Sequence, residues 1–171
     1  MQSFGKTEEG KWLASNCYRF GFILRYEKEK EEISIEDAIA KAIETDISIF
    51  LHFTKAPIIA VTGSKGKSST VSAIHYGLTQ AGFTTFLGGN ITVSPLTFLD
   101  ETNEKTPVVL ELSSWQLADL KGRGVLKPHI TVLTKIVPDH QNWYHEMEAY
   151  VNDKKLIYAD QGADDYTLCL T

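Results

Sequence analysis

The stretch Ile58-Ile59-Ala60-Val61-Thr62-Gly63-Ser64-Lys65-Gly66-Lys67-Ser68-Ser69-Thr70 decides how the chain is read. Ile58 to Val61 is a short apolar run suited to a buried parallel strand, and from Ser68 onward Val71, Ala73, Ile74 and Leu78 recur at helical spacing. Gly63 to Lys67 therefore fall at a strand-to-helix turn, where glycines let the main chain bend and approach a ligand closely. Backbone N–H groups there are expected to point outward, and the helix N-terminus favours anions. Lys67 adds a cation, and a hydroxyl of Ser68 or Ser69 can reach Mg²⁺. The whole reads as a phosphate cradle made of Gly63, Ser64, Lys65, Gly66, Lys67, Ser68 and Ser69. It is not the strict P-loop G-x-x-x-x-G-K-[ST], because Val61 stands where that pattern has its first glycine.

With 171 residues, 43% of them hydrophobic and 23% charged, the chain can bury one core and carry a small appendage. Its net charge of -5 provides no basic footprint for nucleic acid, so phosphate affinity is expected only at the glycine loop. Cys17 and Cys169 are far apart and outside any metal-ligand spacing, which argues against a disulfide framework or a zinc cluster and for a reduced, cytoplasmic setting. No apolar run approaches the ~20 residues of a membrane helix, and Met1 to Glu9 lacks the apolar core of a signal peptide.

Residues 1–33 read as a small appendage. Thr7 caps a helix whose apolar stripe is Trp12, Leu13, Cys17 and Phe20, and Gly21 ends it before the strand-like Phe22 to Tyr26. Glu27 to Glu32 is a solvated turn or linker of mixed charge. Residues 34–55 form a helix and linker: Ser34 and Asp37 make a capping-box pattern ahead of Ile35, Ala38, Ile39, Ala42 and Ile43, and Asp46 to Thr54 leads into the loop strand. Residues 56–171 then alternate strand and helix. Further strands are expected from Thr84 into Gly88-Gly89-Asn90, at Val108 to Leu112, at Ile130 to Thr134 and at Tyr166 to Leu170, with a helix over Tyr150 to Tyr158. This order predicts an α/β domain with a mostly parallel sheet flanked by helices and with ligands at the carboxyl ends of the strands.

Three polar residues gather near those strand ends. Glu111 interrupts an apolar strand, and a buried carboxylate is costly unless it meets a cation, here Mg²⁺ or Lys67; an exposed strand end or a structural ion pair would serve equally. His140 follows the strand Ile130 to Thr134, where a lone histidine is ordinarily a solvated loop residue. Lys154 lies in the expected helix and is by position an ordinary helical lysine. His75, His129 and His145 have no such context and read as surface residues.

Taken together these segments resemble the Mur ligase family, and within it the ligases that add D-glutamate. The loop Thr62 to Ser69 is similar to the ATP loop of Mur ligases and folylpolyglutamate synthetases. Gly88-Gly89-Asn90-Ile91 and Leu110-Glu111-Leu112-Ser113-Ser114-Trp115-Gln116-Leu117 resemble two further motifs, with Trp115 in place of the usual phenylalanine. Asp139-His140 and Tyr150-x-x-x-Lys154-x-x-Ile157 resemble two more, and the likeness runs from about Asp46 to the end. It implies ATP-dependent amide formation in peptidoglycan precursor synthesis, with UDP-N-acetylmuramoyl-L-alanine activated as an acyl phosphate and D-glutamate as the amine. Two Mg²⁺ sites are implied, drawing on Ser68, Glu111, His140 and Lys154. Lys67 would neutralise charge on the phosphates, Asn90, Ser113 and Gln116 would face substrate, and Lys154 rather than Lys155 would carry a carbamate.

A second resemblance covers residues 4–33, where Glu9-Gly10-Lys11-Trp12-Leu13-Ala14-Ser15-Asn16 and Phe20 to Tyr26 look like part of a VanY-type D-alanyl-D-alanine carboxypeptidase. The family's zinc-binding motifs do not occur here, so peptidase activity is not implied. The chain then reads as a fusion with a seam near Ile33 to Ile35, and its central domain as cut short at Thr171. The ligase family's N- and C-terminal domains do not fit in this length, and a second chain is one source of them. An inactive nucleotide-binding or structural fragment and a zinc peptidase relic are the rival expectations.

Overall fold

The computed structural model describes residues 44–91, 93–139, 144 and 146–169. The chain divides into two units, Met1–Glu44 and Thr45–Thr171, and the following concerns the second. The peptidase-like segment and the helix expected after Ser34 lie outside the described residues.

Helix α1 spans Asp46–Phe53, a stretch whose element type the sequence reading left open. Thr45 caps it: Thr45 Oγ1 accepts from the Ser48 N–H at 3.1 Å while the Thr45 N–H donates to Ser48 Oγ at 2.8 Å. Ile47, Phe50 and Leu51, spaced at i, i+3 and i+4, are its buried residues together with Ser48. Phe50 meets Phe98 edge-on at 5.7 Å between ring centroids, and Phe98 stacks on Phe86 at 4.9 Å.

Five strands follow: β1 Ile58–Thr62, β2 Phe86–Gly89, β3 Val108–Glu111, β4 Ile130–Leu133 and β5 Tyr166–Cys169. Their order in the sheet is β2-β3-β1-β4-β5, and every pairing is parallel. Helix α2, Lys67–Gln80, leads from β1 towards β2, and a 3-10 segment, Pro95–Glu101, lies between β2 and β3. Helix α3, Ser114–Asp119, follows β3, and helix α4, Met147–Lys155, runs on as 3-10 turn Leu156–Tyr158 before β5. The chain leaves β1 towards one edge of the sheet and leaves β4 towards the other. The switch point of an open parallel sheet, where ligands bind, thus falls at the carboxyl ends of β1 and β4.

Every residue of the central strand β1 is buried, because both faces of the sheet are covered. Ile58 and Ala60 join Val108, Leu110, Ile47, Phe50, Phe98, Leu117 and Ile157 in one cluster, whereas Ile59, Val61 and Val109 pack with Val71 of α2 on the other face. Alternation along β3 therefore places Glu111 on the α2 side with Val109, opposite Val61 in register. Removing the Phe50 ring, fully buried and bridging α1 to the 3-10 segment, should cost about 3–5 kcal/mol. Urea unfolding of Phe50→Ala checks this, and a loss below about 1 kcal/mol would show that α1 is not part of the cooperative core.

Candidate functional site

The loop after β1 is built around a close approach. Gly63 has φ 150, and a Cβ there would lie 1.9 Å from Thr134 Oγ1, so only glycine fits beside the residue that follows β4. The N–H groups of Ser64 and Lys65 donate to the Lys135 carbonyl at 2.9 and 3.3 Å. This corrects the expectation that the loop's amides all face outward: these two are used to tie the loop to the β4 end. Ser64 Oγ donates to the Val137 carbonyl at 2.9 Å and accepts from the Val137 N–H at 3.0 Å. Its single hydrogen is thereby committed, so the Tyr150 hydroxyl, 3.0 Å away, is the donor to it.

The amides left for a ligand are those of the helix start. Gly66, φ 90, is the N-cap of α2 and makes no side-chain cap hydrogen bond, which leaves the first-turn N–H groups of Lys67, Ser68 and Ser69 without a side-chain partner. The Ser68 and Ser69 side chains are exposed at this end. Lys67 Nζ turns back to donate to the carbonyls of Gly63 at 3.0 Å and Ser64 at 3.4 Å. Lys65, exposed, pairs with Asp139 at 3.7 Å.

Lys154 reaches the same loop from α4. It is 2% exposed, donates from Nζ to the Gly63 carbonyl at 3.0 Å and lies 4.5 Å from the Tyr150 ring centroid. Burial, and secondly the Lys67 ammonium, bring its pKa down to about 8, against the opposing pull of Asp139 and Asp153. Two residues the sequence reading passed over brace this helix: the Tyr144 hydroxyl donates to Asp153 Oδ2 at 2.8 Å, and the Tyr144 ring meets Tyr150 edge-on at 5.1 Å. Burial first, and the neighbouring Asp153, contribute to pushing the Tyr144 hydroxyl up to about 12. No local sequence signal marks Tyr144, because its role depends on a loop residue folding against α4.

Glu111 ends β3 and is 2% exposed. Its Oε1 accepts from Asn90 Nδ2 at 3.0 Å, and its Oε2 has no hydrogen-bond partner among the described residues. Lys67, spent on loop carbonyls, is thus not the hydrogen-bonded partner the sequence reading allowed for. Ser113 and Gln116 form the capping box of α3, with the Ser113 N–H donating to Gln116 Oε1 at 3.0 Å and the Gln116 N–H to Ser113 Oγ at 3.2 Å. That Ser-x-x-Gln signal was in the sequence and could have located the helix. His140 and His145 lie outside the described residues. His75 contacts the Thr85 carbonyl at 3.3 Å. At the amino ends of β4 and β5, His129 pairs with Asp165 at 3.0 Å; the Gly162 N–H first, then His129, holds the Asp165 carboxyl below its ordinary range. A broad open groove lined by Phe53, Lys55, Leu99, Asn103 and Lys105 contains none of the residues named from sequence.

A glycine turn at the switch point of a parallel sheet, opening a helix with an uncapped N-terminus, defines the P-loop-like class of α/β domains. The chain belongs to the Mur ligase family, whose description "Mur ligase middle domain" matches residues 61–170. It is 57% identical to the UDP-N-acetylmuramoylalanine--D-glutamate ligase of Treponema pallidum (strain Nichols) over 74% of this chain and 26% of that protein. It is 48% identical to the enzyme of the same name from Borreliella afzelii (strain PKo), over 72% of this chain and 27% of that protein. The chain thus spans about a quarter of the length of these relatives. Solved folds agree: MurF from Acinetobacter baumannii superposes with a TM-score of 0.57 at 18% identity, covering 72% of this chain and 28% of that one. A MurF ligase from Thermotoga maritima in complex with ADP gives 0.54 at 20% identity, covering 96% and 41%.

Whether the residues suit a metal can be judged from the donors. Among the described residues no group of three or more His, Cys, Asp or Glu side chains could hold an ion, which leaves a closed zinc site without ligands there. Mg²⁺ asks less, usually one or two carboxylates with the remaining positions filled by substrate phosphates and water. A buried carboxylate with one oxygen unsatisfied, at the strand ends, fits that requirement.

The lowered pKa of Lys154 has a sign that can be tested. Between pH 8 and 10.5 the unfolded chain binds this proton more than the folded chain does, so unfolding free energy should rise with pH across that window. Relative to Lys154→Met in carbonate-free buffer, the gain between pH 7.5 and 10 should be roughly 2 kcal/mol, an upper bound once solvent screening is allowed for. Parallel stability curves for the two proteins would mean that the ammonium is solvated.

Proposed function

We propose that this chain supplies the ATP-binding and acyl-activating part of a ligase that joins D-glutamate to UDP-N-acetylmuramoyl-L-alanine in peptidoglycan precursor synthesis. The observation that carries the reading is the uncapped start of α2 at the β1–β4 switch point, with the ammonium groups of Lys67 and Lys154 both on the Gly63 carbonyl. The activity for which the relatives are named selects the reaction, and the ADP in a MurF structure supports the nucleotide.

In that reaction the substrate carboxylate oxygen attacks the γ-phosphorus of ATP, forming an acyl phosphate and releasing ADP. The D-glutamate amine then attacks the acyl carbon, forms the amide and expels phosphate. The residues here act by position and charge. The first-turn N–H groups of Lys67, Ser68 and Ser69 donate to phosphate oxygens, and Lys67 exchanges its loop carbonyls for the charge developing on the transferred group. Mg²⁺, when bound, supplies charge neutralisation across the phosphates; Ser68 and Glu111 would hold one ion, and His140 and Lys154 a second.

Lys154 joins the second site as a carbamate. Its neutral amine adds to CO2, an N–C bond forms and a proton leaves to solvent, so a cation becomes an anion with oxygen donors. A pKa of about 8 favours this, since roughly one amine in ten is neutral at pH 7, against fewer than about one in a thousand for an ordinary lysine. Conversion would also end the repulsion between two ammoniums on one carbonyl. Asn90, Ser113 and Gln116 are assigned to substrate through the family alone.

Calorimetry with Mg²⁺-ATP should show binding by the wild-type chain that falls at least about tenfold in Lys67→Ala, the loss of a charge-assisted contact. Equal affinities, or none in either protein, would remove the cradle. Lys154→Ala should lose Mg²⁺-dependent nucleotide affinity and regain part of it with added short carboxylates, whereas Lys155→Ala should match wild type. Equal behaviour of the two variants would exclude the carbamate.

A further inference from the structure

Residue 90 sits where β2 ends, beside the end of β3, and the two strands are in register as Gly89 with Glu111. The approach is close: Gly89 has φ 98, and a Cβ on it would lie 2.2 Å from the Glu111 carbonyl oxygen. That oxygen accepts the Asn90 N–H at 2.9 Å, while Asn90 Nδ2 donates to Glu111 Oε1 at 3.0 Å. Glu111 is therefore held by the same residue at its main chain and at its carboxylate.

We propose that Asn90 is the positioning residue of Glu111, fixing its carboxylate so that Oε2 alone is presented to the cation. The proposal rests on the reading of Glu111 as a Mg²⁺ ligand and gives Asn90 a different task from the substrate contact that the family implies. An ionised carboxylate can only accept, so the amide must present its nitrogen to Oε1, and that orientation is set by chemistry. With Oε1 occupied, Oε2 is the one buried side-chain atom among the described residues that lacks a hydrogen-bond partner. Without Asn90 both oxygens are unsatisfied and the carboxylate can turn about its terminal bond. A ligand held by a hydrogen-bonding neighbour loses metal affinity by about 10–100-fold when that neighbour is removed.

The test is Mn²⁺ binding in the presence of ATP, followed by electron paramagnetic resonance, on the full chain as wild type, Asn90→Ala, Glu111→Gln and the double variant. Asn90→Ala should weaken Mn²⁺ by about tenfold or more and have no further effect in the Glu111→Gln background, because it acts through that carboxylate. ATP affinity in EDTA should be unchanged by Asn90→Ala in either background, wild type or Glu111→Gln, which also reports that the loop is folded. Should alanine unfold the strand end, Asn90→Leu, similar in size but without the donor, should give the same loss. Unchanged Mn²⁺ affinity in Asn90→Ala, or losses that add in the double variant, would overturn the proposal while leaving Glu111 as a ligand. If wild type binds ATP in EDTA but Glu111→Gln takes up Mn²⁺ as well as wild type does, the ligand reading of Glu111 itself falls, and this proposal with it.

Discussion

Gly63 can carry no side chain, because Thr134 Oγ1 occupies the place where a Cβ would go. The rest of the site depends on this contact. It lets the end of β1 lie against the end of β4 closely enough for the Ser64 and Lys65 amides to reach the Lys135 carbonyl and for Ser64 Oγ to bridge both main-chain groups of Val137. The loop is then held on one side by hydrogen bonds, and its free donors are confined to the start of α2. A longer side chain at position 63 would separate the strand ends and release the amides that make the loop rigid.

The electrostatics follow from the same geometry. The Gly63 carbonyl accepts from Lys67 and Lys154, two ammoniums that repel each other across one oxygen. Together with the uncapped helix start they make a site with an excess of positive charge in a chain whose net charge is -5. Such an arrangement is costly without an anion. The Tyr150 ring beneath Lys154, and the Tyr150 hydroxyl on Ser64, connect the helix that carries the lysine to the glycine loop. A shift of α4 would therefore be felt in the loop. Glu111 adds a negative charge on the neighbouring strand, a buried carboxylate whose second oxygen has no hydrogen-bond partner among the described residues.

The sequence by itself determined the parallel α/β class, the strands and the glycine turn between β1 and α2, since periodicity, glycines and a Gly-Lys-Ser turn are local signals that survive without neighbours. It also singled out Glu111 as a carboxylate in an apolar run, whereas Lys154 was picked out only by the family resemblance of Tyr150-x-x-x-Lys154-x-x-Ile157. Helix α3 was legible in Ser113 and Gln116 but was overlooked, and α1 was left without a type although Ile47, Phe50 and Leu51 have helical spacing. Only the tertiary structure decided which amides of the loop are free, because Lys135 is 71 positions from Ser64 in sequence and meets it solely through the β1–β4 pairing. It likewise decided that Lys67 turns to the loop and not to Glu111, and that Asn90 grips that carboxylate. Hydrogen bonds are settled by distance and direction between atoms of different strands, and a residue's place in the chain carries neither.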